Sequence, residues 1–506
     1  MHTSLTNKAR QFMFYGLNNI NTAKTMRRGF LKPHILMSFL LAVVMSLAAV
    51  FSTIYPMAAV GLSVLTVIVL LFTIRTNFSY YLLIILLNLS NIRFDIVLYN
   101  KVYLFSLGEV FVLAVFLLWF FSRTANLATP YSKTPCDIPI LLFFSFSVLS
   151  LLWSDDYKAW TYQFIRLSLG IGIFLVTILL VNNKKILHTV IWIIIVMGIF
   201  NSISCFVSVH TYPHYTYVNF IKSKLVSFVA IFNDIFVVGK RGHAFAHPLT
   251  TAYWLNFAII FTFGKFITAG RFKKTVLGLL MFFMLTAHLT TLSKGPLLAL
   301  FGGAMFLFYS HKLIRKVFFA STFALITIII MSFLLANITD LANSARYTYN
   351  QVTGYNEFSS GTSRMNWWII SIQKSLDSYG LGVGLGGIPK YLTTANTPLL
   401  KINIPHSHNV WINTFGDLGF IGLGLLVSIY LLALKTYLTA FKQCKNEYYR
   451  NILLSYISGF IIMLLFILTD YDYTATILWW YMGLGFAIAK LATEALPEFR
   501  IGVSHS

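Results

Sequence analysis

The sequence predicts an all-α, polytopic integral membrane protein, and three observations carry that reading. Of the 506 residues, 58% are hydrophobic and only 10% are charged, against about 25% charged in ordinary soluble domains. The mean hydropathy is +0.75. The apolar residues also gather into runs near the length that crosses a bilayer, about 20 residues, and none shows the alternating ten-residue pattern of a barrel strand.

In chain order, residues 1–33 are polar and basic, too long and too polar a lead for a cleaved secretory signal. They read as a cytoplasmic segment, with the first apolar run kept as a membrane helix. Apolar runs follow near 34–54, 56–74, 78–92, 103–121, 138–153, 163–181 and 186–208. Seven more lie near 250–268, 275–291, 295–310, 317–336, 409–432, 451–468 and 473–490. Because 78–92 and 138–153 are short for a span, the expectation is 12–14 transmembrane helices.

Two long outward segments interrupt this series, 209–249 and 337–408, and loops of such length usually have a task. The expected organisation is therefore a basic segment (1–33), helices with one outer loop (34–336), a large outer loop (337–408), C-terminal helices (409–490) and an inner tail (491–506). Within the large loop, 364–379 has apolar residues at helical spacing, as in an amphipathic helix lying on or in the membrane surface.

The net charge of +23 is spread between the apolar runs rather than gathered in one domain, so no nucleic-acid partner is expected. Crossing the membrane at each run from an inner N-terminus places about 24 of the 38 Lys and Arg residues inside. That agrees with the bias of basic residues toward cytoplasmic loops. The three cysteines, Cys136, Cys205 and Cys444, form no CxxC pair and no disulfide or zinc framework.

Basic residues on the outer side are fewer and stand out. Lys240-Arg241-Gly242-His243 closes the first long loop, Lys294 sits in the turn LTTLSKGP, and Arg364 precedes Trp367-Trp368. Such residues can anchor to headgroups or cap helices. Arg241 and Arg364 together, on the same side, suit a bidentate grip on phosphate, to which a lysine adds a point charge.

The stretch PHSHNVWINTFGDLGFIGLGLLV puts His406, His408 and Asn409 directly before an apolar run. Asn409 or Ser407 can cap the helix, and a histidine can accept or orient a hydroxyl proton. Gly416, Gly419, Gly422 and Gly424 read as positions of close helix approach. Glu109 and Arg166 lie within or near apolar runs and read as a buried pair, or as functional intramembrane charges. Asp155, Asp156, Asp470 and Asp472 read as solvated loop residues. The glycine run YGLGVGLGG follows no strand, so a dinucleotide loop is excluded. No HExxH, acidic metal pair or GxSxG elbow stands out in the outer loops, and no cofactor is expected.

His408-Asn409, nine residues, Gly419, two residues, Gly422 resembles the motif of the O-antigen ligase and O-antigen polymerase superfamily. RGHAFAHPLTTA, LTTLSKGP and GTSRMNWW with GLGVGLGG follow the family in order and spacing, and the similarity covers about 138–490. The resemblance implies a membrane glycosyltransferase of lipopolysaccharide, exopolysaccharide or capsule assembly in the bacterial inner membrane. It implies a glycan on undecaprenyl pyrophosphate as donor, a glycan or lipid A core as acceptor, and a periplasmic active site in loop 337–408.

By the same resemblance, Arg241 and Arg364 hold pyrophosphate and His408 positions or deprotonates the acceptor hydroxyl. Lys294, Asn409, His406, Lys240, His243 and Arg166 are the substrate-binding positions around them. Lys294 stands where the family often has arginine, which keeps the charge but loses the fork. The family chemistry implies inversion without a metal. Chain length and extra spans favour a polymerase over a ligase, with membrane lipids and a chain-length regulator as partners. A polysaccharide transporter or flippase is the alternative, weakened by the absence of a repeat and by polar residues gathered on one outer face.

Overall fold

Short polar side chains fix where several helices begin. Asp156 accepts from the backbone N–H groups of Lys158 and Ala159 and opens a helix at Tyr157. Asn409 does the same for Trp411 and Ile412, and Asn446 for Tyr448 and Tyr449. Each side chain satisfies donors that the first helical turn leaves open.

In the computed structural model the described residues are 76–88, 93–98, 101–106, 109, 112, 132–210, 243–244, 248–310, 360–395, 406–470 and 472–494. They belong to the compact unit Thr76–Ser506. The expected spans 34–54, 56–74 and 317–336, the N-terminal segment, Lys240, Arg241, most of both long loops and the tail beyond 494 lie outside them.

In chain order the elements are α1 (Thr76–Asn88), β1 (Arg93–Leu98), β2 (Lys101–Ser106), α2 (Asp137–Leu149), α3 (Tyr157–Leu180) and α4 (Lys184–His210). Then come α5 (Pro248–Thr268), α6 (Arg271–Thr290), α7 (Lys294–Ser310), α8 (Ser360–Asp377) and α9 (Ile388–Ala395). The last are α10 (Val410–Gln443), α11 (Glu447–Phe466) and α12 (Thr476–Glu494). Among the described residues, five stretches are long and apolar enough to cross a membrane: α3, residues 184–208 of α4, α6, α10 and α11. The chain is thus an α-helical polytopic membrane protein.

One expectation is corrected. The run at 103–121 does not begin as a helix: Lys101–Ser106 is a strand paired antiparallel with Arg93–Leu98. RFDIVL alternates polar and apolar residues over Arg93–Ile96, and RFDIVL and KVYLFS both carry the β-branched and aromatic residues that favour strands.

Helix α3 packs along α12, and α7 along α11. Between membrane helices, close packing and hydrogen bonds replace the hydrophobic drive. A side chain at Gly303 of α7 would stand 2.6 Å from the Ser458 carbonyl of α11, so the small residue sets that approach. The rings of Phe257 and Tyr456 stack on Tyr481 at 4.0 and 4.7 Å. The Tyr456 hydroxyl donates to the Tyr481 carbonyl at 2.7 Å and the Tyr437 hydroxyl to Met482 at 2.8 Å. Helix α6 turns Phe272, Leu279 and Phe282 outward, as a lipid-facing helix does.

The glycine run before α9 is a clamp. Gly380, Gly382, Gly384 and Gly386 all have φ between 70° and 93°, a region that only glycine visits without penalty. That alternation aims successive backbone groups at α10, which breaks at Gly419 (φ 61°, ψ −158°). The break leaves helical groups open, and the loop takes them: Val383 N–H donates to the Gly416 carbonyl, Gly384 N–H to Asp417, and Phe420 N–H to the Gly380 carbonyl, at 2.9–3.0 Å. The glycines of the His408 motif therefore differ in role. Gly419 serves the kink and Gly416 meets Ile388, while Gly424 faces open space, contrary to the close approach expected for all of them.

Candidate active site

Residues 406–410 are stitched to the turn that follows α11. Val410 N–H donates to the Ile467 carbonyl at 2.9 Å, and the Asn409 side-chain amide to Leu468 at 3.1 Å. Ser407 N–H donates to Asn413 Oδ1 at 3.1 Å, and the Trp368 indole donates to the Ser407 carbonyl at 3.0 Å. Asn413 in turn donates to Asp417, which also accepts from Tyr473 and from Ile388 N–H. The segment is thus fixed from three sides by buried polar groups, each satisfied through another.

Within that frame His408 takes a left-handed backbone (φ 54°), uncommon for a residue with a side chain and worth attention at a functional site. Its N–H donates to His406 Nδ1 at 3.1 Å. Its Nδ1 lies 3.0 Å from Asp470 Oδ1, with the side chains 24% and 13% exposed. The Trp367 ring stacks on the imidazole at 5.3 Å between centroids, and the His406 ring lies at 4.4 Å. Asp470, expected to be only solvated, is instead the partner of His408.

Arg166 is brought to the same quarter but is engaged. Its Nε bonds Glu109 Oε1 at 3.0 Å and its Nη1 lies 3.8 Å from Asp472 Oδ2. Asp472, also expected as a solvated residue, is buried and accepts from the Thr474 backbone N–H at 3.3 Å, while the Thr474 hydroxyl donates to Gln163 Oε1 at 2.7 Å. Burial lowers the pKa of His406 to about 4, reinforced by His408 and Arg166 against the opposing pull of Asp470 and Asp472. His406 is therefore a neutral imidazole at pH 7. His406, His408 and Asp470 offer ligand atoms within 4.8 Å of one another, a spacing that a metal ion could also use.

The other expected residues fall around this centre. Arg364 lies on α8, one turn before Trp367, half-buried and without an ion pair among the described residues. Lys294 is exposed at the start of α7. A side chain on its neighbour Gly295 would stand 2.8 Å from Thr469 Oγ1, so the Ser-Lys-Gly turn abuts the turn that carries Asp470. His243 is held locally, its N–H on Ser208 Oγ at 2.8 Å and its Nδ1 by the Ala244 carbonyl at 3.1 Å. Asp470, Asp472 and Trp367 are the residues that reading the sequence missed. The available signal was an acid pair just past an apolar run, on the same side as PHSHN.

Helix α8 packs on α10 with Ser371 and Ser375 buried. Met365, Ile369, Ile372 and Leu376 form an exposed apolar stripe, as in a helix laid into the membrane interface.

A search of curated proteins finds no match to the chain. Residues 279–427, which carry Lys294, Arg364, the glycine clamp, His408 and the kink of α10, match the family model described as O-Antigen ligase.

Proposed function

We propose that this protein moves a glycan from undecaprenyl pyrophosphate to a sugar hydroxyl, with His408 as base and Asp470 as its orienting partner. The match of residues 279–427 to the O-Antigen ligase model supports glycosyltransferase-type activity on lipid-linked glycans at a bacterial membrane. The observation that carries the finer reading is the 3.0 Å contact between His408 Nδ1 and Asp470. With Nδ1–H donated to the carboxylate, Nε2 is left to accept a proton.

In this reading the acceptor oxygen attacks the anomeric carbon while the bond to pyrophosphate breaks. The proton of the hydroxyl passes to His408 Nε2, and the bonding pair leaves with the lipid pyrophosphate. Arg364 and Arg241 stabilise the departing charge, and Lys294 adds a point charge from its exposed turn. Trp367 holds the imidazole plane. A single displacement of this kind inverts the anomeric centre, and the site faces the periplasm from the inner membrane. Arg166, tied to Glu109 and Asp472, holds those acids in place rather than gripping phosphate.

Between polymerase and ligase, the length of the chain favours the polymerase. The test is an assay of the full-length protein in bilayers with its lipid-linked repeat and no lipid A core. Ladders of repeats on the lipid carrier support the polymerase, and products only when lipid A core is added make it a ligase. Glycan transfer that survives both His408→Ala and Arg364→Ala overturns the catalytic assignment.

A further inference from the structure

At the end of α11 remote from His408, basic groups from separate helices converge on one aromatic ring. Helix α11 has 20 residues and so runs about 30 Å from Tyr448 in its first turn to the turn holding Asp470. The Lys184 ammonium, at the start of α4, lies 4.5 Å from the Tyr448 ring centroid. The Lys265 ammonium, in the last turn of α5, lies 5.1 Å from the same centroid. Both act electrostatically on His188, one turn further along α4.

Nothing among the described residues neutralises this group. Neither lysine has a carboxylate oxygen within 4.0 Å there, Glu447 included. The Tyr448 hydroxyl is buried and without a hydrogen-bond partner among the described residues. Two like charges on one ring repel, and an unsatisfied buried hydroxyl is costly. An anion accepting from all three would relieve both.

From His188 a stripe leads along α4: Trp192, Val196, Phe200 and Ile203 are all exposed, between 38% and 55%, at the i, i+4, i+8, i+11 spacing of one helix face. The Trp192 indole donates to His188 Nε2 at 3.3 Å and joins the stripe to the basic end. Charge at one end and an apolar track from it match the shape of a lipid.

We propose that Lys184, Lys265 and Tyr448 bind an anionic phospholipid. Its phosphate accepts from the two ammonium groups and the tyrosine hydroxyl, and an acyl chain lies along Trp192, Val196, Phe200 and Ile203. By the distribution of basic loops this is the cytoplasmic leaflet, where polybasic protein segments meet anionic headgroups. The proposal is independent of the reaction assigned to His408.

The test uses full-length protein, stripped of lipid and returned to phosphatidylcholine nanodiscs with or without phosphatidylglycerol. Retained lipid is read by native mass spectrometry and stability by thermal melting. The wild type should retain phosphatidylglycerol selectively and melt higher in its presence. Lys184→Gln/Lys265→Gln should lose that retention by roughly tenfold or more, and Arg271→Gln/Lys273→Gln, with the same loss of charge nearby, should not. Equal loss in both double variants, or no loss in the first, overturns the site. A first variant that fails to fold leaves the wild-type comparison to decide, since no preference over phosphatidylcholine is equally fatal. Inorganic phosphate that raises the melting temperature in pure phosphatidylcholine as far as phosphatidylglycerol does would overturn the lipid assignment in favour of a free phosphate.

Discussion

His408 Nδ1 and Asp470 Oδ1 meet at 3.0 Å although 62 residues separate them in the chain. The meeting depends on one backbone bond (Val410 N–H to Ile467) and one from the Asn409 side-chain amide to the Leu468 carbonyl, so the pair is built by the end of one helix and the start of another. His408→Ala should lower transfer by about 10² to 10⁴, the usual worth of a positioned base. Asp470→Asn should cost less, on the order of tenfold. It should lower kcat with KM little changed, because the imidazole loses the carboxylate that orients it. A kcat unchanged in Asp470→Asn would reduce Asp470 to a structural contact.

Asn413 accepts from Ser407 N–H and donates to Asp417. Asn413→Ala strands two buried groups, with an expected loss of about 1–3 kcal/mol in stability. A positioning role also requires kcat to fall with KM little changed, measured below the new melting temperature. A variant that is destabilised but retains full kcat would confine Asn413 to folding.

The two glycines of the α10 motif should respond in opposite ways. At Gly419 an alanine meets φ 61° and the Gly380 carbonyl, so Gly419→Ala should destabilise by at least ~1–2 kcal/mol and loosen the clamp. Gly424 has open space in a helical stretch, and Gly424→Ala should be neutral or stabilising by up to about 1 kcal/mol. Thermal melts of the two variants in one detergent check the contrast.

These contrasts mark what was legible in the sequence. Long apolar runs have one hydrogen-bonded solution in lipid, a helix, so the helices from α3 to α7 and from α10 to α12 follow the runs closely. The Asn409 cap was legible in the local sequence, as the structure shows, whereas His408 was singled out through the resemblance to the family motif. Asp470 and Asp472 were not, since an acid at a helix end reads as solvated until a distant loop is folded onto it. The reason for Gly419 was hidden too: a kink that trades backbone bonds with a remote loop leaves only a glycine in the local sequence. The strand at 101–106 was lost inside an apolar run, whose composition alone does not separate strand from helix.

His406 gives the site a pH dependence of its own. Its pKa is lowered from 6.5 to about 4 in the folded protein, so the unfolded chain binds a proton there more readily. The stability it contributes is present in full above pH 6.5 and is lost as the pH falls toward 4. Melting temperatures measured across that window should fall, and His406→Asn should flatten the decline. A decline of equal steepness in the variant would assign the acid sensitivity elsewhere.

The last prediction concerns metal. His406, His408 and Asp470 are spaced closely enough to tempt a divalent cation, but two of their nitrogens are committed. His406 Nδ1 accepts from His408 N–H, and His408 Nδ1 bonds Asp470. A cation drawing on those atoms would have to break the contacts that hold His408 in its left-handed conformation. It would also claim the imidazole lone pair that the base needs. Exhaustive dialysis against a chelator should therefore leave transfer unchanged, and added zinc should inhibit by competing for Nε2. Activity lost on chelation and restored by one divalent cation would turn the cluster into a metal centre and displace His408 from its role as base.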